Sequence, residues 1–170
     1  MKASAPVTWV TALLLACSSA VAPVRAPAST RGSPIDFAYG TPSGELLTSG
    51  NTRGRVTALL FVATFDLASQ LMARRLDEVV HQHRPRVNAG AIALEAPNDA
   101  PLVEVFKSSL GLGYPVALAN STSFEHAGPF GHLDQVPTLV VLDARGREVA
   151  RAAGVVSAPQ IDRALTLAAE

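Results

Sequence analysis

A chain of 170 residues is long enough for one domain with a hydrophobic core and too short for two domains of ordinary size. Lysine and arginine together number 14, as do aspartate and glutamate, so the formal net charge is zero. Nucleic-acid binding requires a clustered excess of basic residues, and we therefore expect no nucleic-acid partner. Cys17 is the single cysteine, which excludes an intramolecular disulfide and leaves the rest of the chain without a thiol.

The first 16 residues have the features of a secretory signal peptide. Lys2 supplies a positive charge, and the apolar run Val7–Ala16 is shorter than the ~20 residues needed to span a bilayer. The run ends in Leu14-Leu15-Ala16-Cys17, which resembles the bacterial lipobox, where the cysteine is lipidated and becomes the new N-terminus. We therefore predict a lipoprotein signal peptide at residues 1–16 and lipidation of Cys17.

Residues 17–34 are rich in alanine, proline, serine and glycine and cannot bury a core. We expect them to form a flexible tether between the membrane and a domain at residues 35–170. By the same lipoprotein resemblance, Ser18 directly after the cysteine favours an exported protein that faces the periplasm on the outer membrane. Plain secretion, with cleavage after Ala16 or Ala20, is the alternative to lipid anchoring.

The rest of the chain shows the alternating strand and helix patterns of an α/β domain. Strands are predicted near Asp36–Ala38 and Glu45–Leu47 and at residues 56–63, 87–94, 114–118, 138–142 and 148–152. Helices are predicted at residues 67–82 with Asp66 as N-cap, after Asn98 or Asp99 with Leu102, Val103, Phe106 and Leu110 facing the core, and after Ser157. Turns are predicted at residues 51–55 and 143–146, and an irregular segment at residues 121–135. A β-α-β crossover and a late hairpin together predict one central mixed sheet flanked by helices.

Two motifs within this order resemble the thioredoxin superfamily, most closely its TlpA-like extracytoplasmic branch of thiol–disulfide oxidoreductases. One is Arg53-Gly54-Arg55-Val56 followed by the strand that ends in Ala63-Thr64-Phe65. The other is Val136-Pro137-Thr138, then a strand with Asp143, Gly146 and Gly154 after it. The resemblance implies a thioredoxin-like fold over residues 35–170 and a cis-proline at Pro137.

The same resemblance places Asp66 and Ser69 at the two positions where the family carries its redox cysteines. Disulfide exchange needs a thiolate that attacks and a second thiol that resolves the mixed disulfide, and neither residue can replace them. We therefore expect no disulfide oxidoreductase activity. Asp66 is interpreted as a helix N-cap, with a general acid or base as the alternative; Ser69 has no evident base and orienting group to make it a hydrolytic nucleophile.

These residues favour a redox-inactive, thioredoxin-like envelope lipoprotein that binds a protein or peptide through the former active-site face, with no cofactor. The candidate groove residues are Phe65, Asp66, Leu67, Ser69, Val136 and Pro137. The partner would be another periplasmic or envelope protein. The alternative is a repurposed enzyme or a metal-handling protein of the same superfamily.

The histidines offer only weak metal ligands. His81 and His83 are two residues apart near a helix end, would not share a helix face, and are interpreted as surface residues. His126 and His132 lie near Glu125 and Asp134, and this mixture of ligands suits zinc or copper. Their spacing matches no known metal motif, so no metal is predicted.

Overall fold

The structure, a computed structural model, describes residues 32–120 and 128–170. Its strands are Ala38–Gly40 (β1), Leu46–Thr48 (β2), Val56–Val62 (β3), Val87–Ala93 (β4), Val116–Leu118 (β5), Thr138–Leu142 (β6) and Glu148–Ala153 (β7). Its α-helices are Ser49–Thr52 (α1), Leu67–His83 (α2), Ala100–Leu110 (α3) and Ala158–Ala168 (α4), and a 3₁₀ turn at Pro97–Asp99 precedes α3. No helix among these described residues is long and apolar enough to cross a membrane.

The central sheet has five strands in the order β5-β4-β3-β6-β7, and β1 and β2 form a separate antiparallel pair. Strands β3, β4 and β5 are parallel, whereas β6 is antiparallel to both β3 and β7. The predicted mixed sheet is therefore confirmed. The register pairs Val62 with Ala93 and Phe61 with Thr138, so the ends of β3 and β4 and the start of β6 share one edge. We name this the site edge.

Strand β3 lies in the middle of the sheet, and all seven of its residues are buried. Because successive side chains of a strand point to opposite faces, β3 contributes to two cores. Leu60 and Val62 pack in the core formed with α2, α3 and α4. Leu59 and Phe61 pack in a second core with residues of the β1–β2 pair and with Phe130. Coverage of both faces explains why the strand is a continuous apolar run in the sequence.

The turn predicted at residues 51–55 is wrong in its first half, because Ser49–Thr52 forms the short helix α1. Thr48 caps this helix: its hydroxyl accepts from the Asn51 amide at 3.2 Å, and its own amide donates to the Asn51 side chain at 2.9 Å. Such a reciprocal capping box stabilises a helix start. The chain turns only after this helix, at Gly54, whose φ is +90°.

Helix α3 departs from its predicted core stripe at Leu102, whose side chain is 52% exposed. Val103 and Phe106 are buried as predicted, and Leu110 packs against the core partly buried. Adjacent helical positions differ by about 100°, so the face that buries Val103 turns Leu102 outward, beside the exposed Val105. This rotation leaves an apolar stripe on the surface of α3.

The C-terminal elements follow the sequence prediction closely. The hairpin turn at residues 143–146 is closed by the Gly146 amide, which donates to the Asp143 carbonyl at 2.9 Å. In α4, the Ser157 amide donates to the Gln160 side chain at 3.0 Å, and the inward residues Ile161, Leu165 and Ala168 are buried. Helix α4 packs beside α2 against the same face of the sheet.

Candidate functional site

Three chain segments meet at the site edge. Residues 63–66 follow β3, residues 94–95 follow β4, and residues 136–137 precede β6. The Leu94 amide donates to the Val62 carbonyl at 2.8 Å, which continues the strand pairing up to the edge. The Val136–Pro137 peptide bond is cis, and the Pro137 carbonyl accepts from the Gly154 amide at 2.7 Å.

Asp66 caps helix α2. Its Oδ2 accepts from the Ser69 amide at 2.8 Å and from the Ser69 hydroxyl at 2.7 Å, and its Oδ1 accepts from the Ala68 amide at 3.3 Å. Burial alone would raise the pKa of Asp66, but these three hydrogen bonds outweigh it and hold the pKa below its usual value. Asp66 is thus a carboxylate at neutral pH, which suits an N-cap and disfavours a general acid.

Ser69 is fully buried, and its hydroxyl both donates and accepts a hydrogen bond. It donates to Asp66, and it accepts from the Ala63 amide at 3.3 Å. A hydroxyl enclosed in this way cannot reach a substrate carbonyl, so the geometry excludes Ser69 as a hydrolytic nucleophile in this conformation.

Two large apolar side chains flank Asp66 and project into solvent. Phe65 is 81% exposed and Leu67 is 78% exposed. Beside them lies a groove of about 270 Å³ between the start of α2 and helix α3, which we name the α2–α3 groove. Its lining residues are Thr64, Phe65, Gln70, Leu102, Val105, Phe106 and Ser109. The site edge therefore presents an apolar surface to solvent.

Glu95 is a site residue that the sequence analysis missed. It is only 8% exposed, and its Oε1 accepts from the Thr64 amide at 2.7 Å and from the Thr64 hydroxyl at 2.8 Å. Gln70 also contacts Thr64, because its side-chain amide donates to the Thr64 carbonyl at 3.0 Å. The sequence does carry one signal for Glu95, which is an acidic residue just after a buried parallel strand. Functional groups often lie at the ends of such strands.

The structure separates the six predicted groove residues by exposure. Phe65 and Leu67 reach solvent and Asp66 does so in part, whereas Ser69 and Pro137 are buried. Val136 packs partly buried against the second core. A ligand at the site edge would therefore meet the turn before α2 rather than the side chains of Ser69 or Pro137.

The histidines lie apart from this site. His81 is exposed, and His83 pairs with Asp162 at 2.7 Å between α2 and α4. His132 lies 3.0 Å from Asp134, with both side chains largely exposed. His126 and Glu125 lie outside the described residues. Within the described ranges, no three residues of metal-ligand type come together.

Comparison with solved structures identifies the architecture. The chain superposes on a secreted Mycobacterium tuberculosis disulfide oxidoreductase with a TM-score of 0.66 and 18% identity, covering 78% of this chain and 96% of that one. A thioredoxin-family thiol:disulfide interchange protein from Chlorobium tepidum gives 0.67 and 24%, covering 83% and 99%. A DsbF homologue from Corynebacterium diphtheriae gives 0.71 and 14%, covering 89% and 96%.

Identities this low establish the fold alone, and the chain has the thioredoxin-like fold predicted from its motifs. No protein-family model matches the sequence, and no curated protein matches it.

Replacing Asp66 by asparagine should show how much the negative charge of this N-cap contributes to the stability of the protein. Asparagine also caps helices, but it has one acceptor oxygen where both oxygens of Asp66 accept, so Asp66→Asn should remove the interaction with the helix dipole, ~0.3–1 kcal/mol at neutral pH, and weaken the hydrogen bonds from Ala68 and Ser69. Because folding lowers the pKa of Asp66, this stabilisation is present above the unfolded value of 3.8 and is lost as pH falls through the folded value. Urea unfolding at several pH values measures the difference.

The matched control is Asp99→Asn, because Asp99 also places a negative charge at a helix N-terminus, that of α3, but makes no side-chain hydrogen bond to the helix. Its replacement should change stability less than Asp66→Asn at neutral pH. A stability difference for Asp66→Asn that persists unchanged in acid would contradict the assignment of the charge effect to Asp66.

Proposed function

We propose that the protein is a redox-inactive, thioredoxin-like envelope protein that binds another protein or a peptide through its site edge. The observation that carries this proposal is the exposure of Phe65 and Leu67 on both sides of Asp66. Fully burying such a side chain is worth ~1.5–3 kcal/mol, so a partner that covers both would gain substantial binding energy. Contiguous exposed apolar surface with polar surroundings marks interaction sites in soluble domains.

The polar groups of the two former redox positions support a binding role rather than chemistry. Asp66 and Ser69 satisfy each other and the backbone of the first turn of α2. A catalytic group needs an unoccupied polar atom directed at the substrate, and these atoms are already engaged inside the protein. The apolar side chains of Phe65 and Leu67, in contrast, have no partner surface within the described residues that buries them.

We further propose that the protein is exported and anchored by a lipid on Cys17, facing the periplasm from the outer membrane. The apolar run before Leu14-Leu15-Ala16-Cys17 supports this, and so does the secreted nature of one protein with the same fold. Several acyl chains would hold the protein firmly at a membrane, because each buried methylene contributes ~0.8 kcal/mol.

Redox inactivity has a direct assay. The native protein should reduce insulin disulfides no faster than a control without protein, because no thiol follows Cys17. The double variant Asp66→Cys, Ser69→Cys should form an intramolecular disulfide in oxidising buffer, since the native side chains already touch at 2.7 Å. Thiol titration and the insulin assay check both statements, and insulin reduction by the native protein would refute redox inactivity.

Binding at the site edge can be tested with a photo-crosslinking amino acid in living cells. A probe in place of Leu67 should capture a discrete envelope partner. The matched control is Leu167, another exposed leucine, which lies near the end of α4. The Leu67 product should also decrease at least about tenfold when Phe65→Ser removes the neighbouring apolar side chain, because that contact is worth ~1.5 kcal/mol or more. Equal products from Leu67 and Leu167 would contradict the proposed surface.

Lipid anchoring predicts a different result for the N-terminal cysteine. Cys17→Ser should abolish incorporation of radiolabelled palmitate and release the protein from the membrane fraction, because the acyl chains supply the anchoring energy. The replacement leaves residues 35–170 unchanged, so the released protein should unfold at the same urea concentration as the native domain. Membrane association that survives Cys17→Ser would favour an anchor other than the lipid.

A further inference from the structure

The α2–α3 groove is neutral along its walls. None of its lining residues carries a charge, and its exposed apolar side chains include Phe65, Leu102 and Val105. Two acidic residues lie close to the end of the groove that Thr64 lines. Glu95 hydrogen-bonds to Thr64, and Asp66 follows Phe65 in the chain.

The two oxygens of Glu95 differ in their surroundings. Oε1 accepts both hydrogen bonds from Thr64, whereas Oε2 accepts none from the described residues. No lysine, arginine or histidine in the described ranges forms an ion pair with this carboxylate. Since no buried side-chain oxygen or nitrogen there lacks a partner, Oε2 must still touch solvent. Glu95 is therefore a largely buried acid whose Oε2 keeps some contact with solvent and accepts no hydrogen bond from the described residues.

An almost buried carboxylate without a cation is an uncommon arrangement, because burying a charge costs free energy that an ion pair or further hydrogen bonds must offset. The two bonds from Thr64 offset part of this cost. A cationic group that reached Oε2 would add a charge-assisted hydrogen bond in a site partly shielded from water, where such bonds are strong. Asp66, held as a carboxylate at the rim, adds negative potential at the same end of the groove.

We propose that the ligand of the site edge is a peptide segment in which a basic side chain is flanked by apolar ones. The apolar side chains occupy the α2–α3 groove and cover Phe65, and the basic side chain pairs with Oε2 of Glu95. This inference rests on the proposed binding function and specifies the chemistry of its ligand. A second copy of the chain fits less well, because a symmetric contact through this surface would bring together the acids of both copies.

The test uses the full protein in nanodiscs of zwitterionic phosphatidylcholine, which do not themselves attract basic peptides. The probes are fluorescent decapeptides of leucine, alanine and serine with a central arginine, or with citrulline or glutamate in its place. Citrulline keeps the shape of arginine and removes its charge. We expect the arginine peptide to bind about tenfold tighter than the citrulline peptide and tighter still than the glutamate peptide, as one charge-assisted contact allows.

Variants assign this preference to Glu95. Glu95→Gln keeps an acceptor for Thr64 and removes the charge, so it should abolish the preference for arginine by lowering the affinity for the arginine peptide to about that for the citrulline peptide. The control is Glu104→Gln, an exposed acid on α3 outside the groove lining, which should preserve the preference. Phe65→Ser should weaken the binding of all three peptides.

The outcomes separate the ligand chemistry from the binding function. Peptide binding that depends on Phe65 but shows no arginine preference, or keeps it in Glu95→Gln, overturns the basic ligand and leaves the binding function intact. No binding of any peptide, or binding indifferent to Phe65→Ser, overturns both. A dimer in sedimentation velocity that Phe65→Ser dissociates would make a second copy the occupant. Tighter peptide binding after Arg25→Gln and Arg31→Gln would make the chain's own N-terminal segment the occupant.

Discussion

The carboxylate of Asp66 determines how the chain leaves the central strand and enters helix α2. It accepts from the amides of Ala68 and Ser69 and from the Ser69 hydroxyl, which in turn accepts from the Ala63 amide. The turn between β3 and α2 is thus closed by its own side chains. By the resemblance to thioredoxin-like proteins, Asp66 and Ser69 stand where that family carries its reactive cysteines. In this chain both side chains instead hydrogen-bond to the backbone of the turn.

This closed turn depends on the strand that carries it. β3 is buried on both faces, and its register with β4 and β6 brings residues 63–66, 94–95 and 136–137 to one edge. Glu95 then fixes Thr64 across that edge, through a contact between residues 31 positions apart in the chain. The sheet therefore supplies the position of the site, and side-chain hydrogen bonds supply its local shape.

The sequence predicted those elements whose pattern depends on local or strongly periodic signals. Strand β6 and the cap at Asp66 were located to the residue, because an apolar run and an acid before a helical stripe are distinctive. Helix α1 was missed because its capping box uses Thr48 and Asn51, a short polar pattern also typical of turns. The exposure of Leu102 and the role of Glu95 depend on tertiary packing. The spacing of Val103, Phe106 and Leu110 indicates the inward side of α3, but no local pattern shows that Leu102 lies outside it or that Glu95 contacts Thr64.

The same hydrogen bonds also bear on how well the site edge is suited to bind. Phe65 lies between Thr64, which Glu95 and Gln70 hold, and Asp66, which is tied to the start of α2. Hydrogen bonds therefore hold the backbone on both sides of Phe65, so a partner of the proposed kind would have less of this backbone to order on binding. A solvent-exposed aromatic side chain on a rigid backbone is a common anchor of binding surfaces. Asp66 and Ser69 thus have one role that the structure shows: their hydrogen bonds hold the turn from which the exposed side chains of Phe65 and Leu67 project.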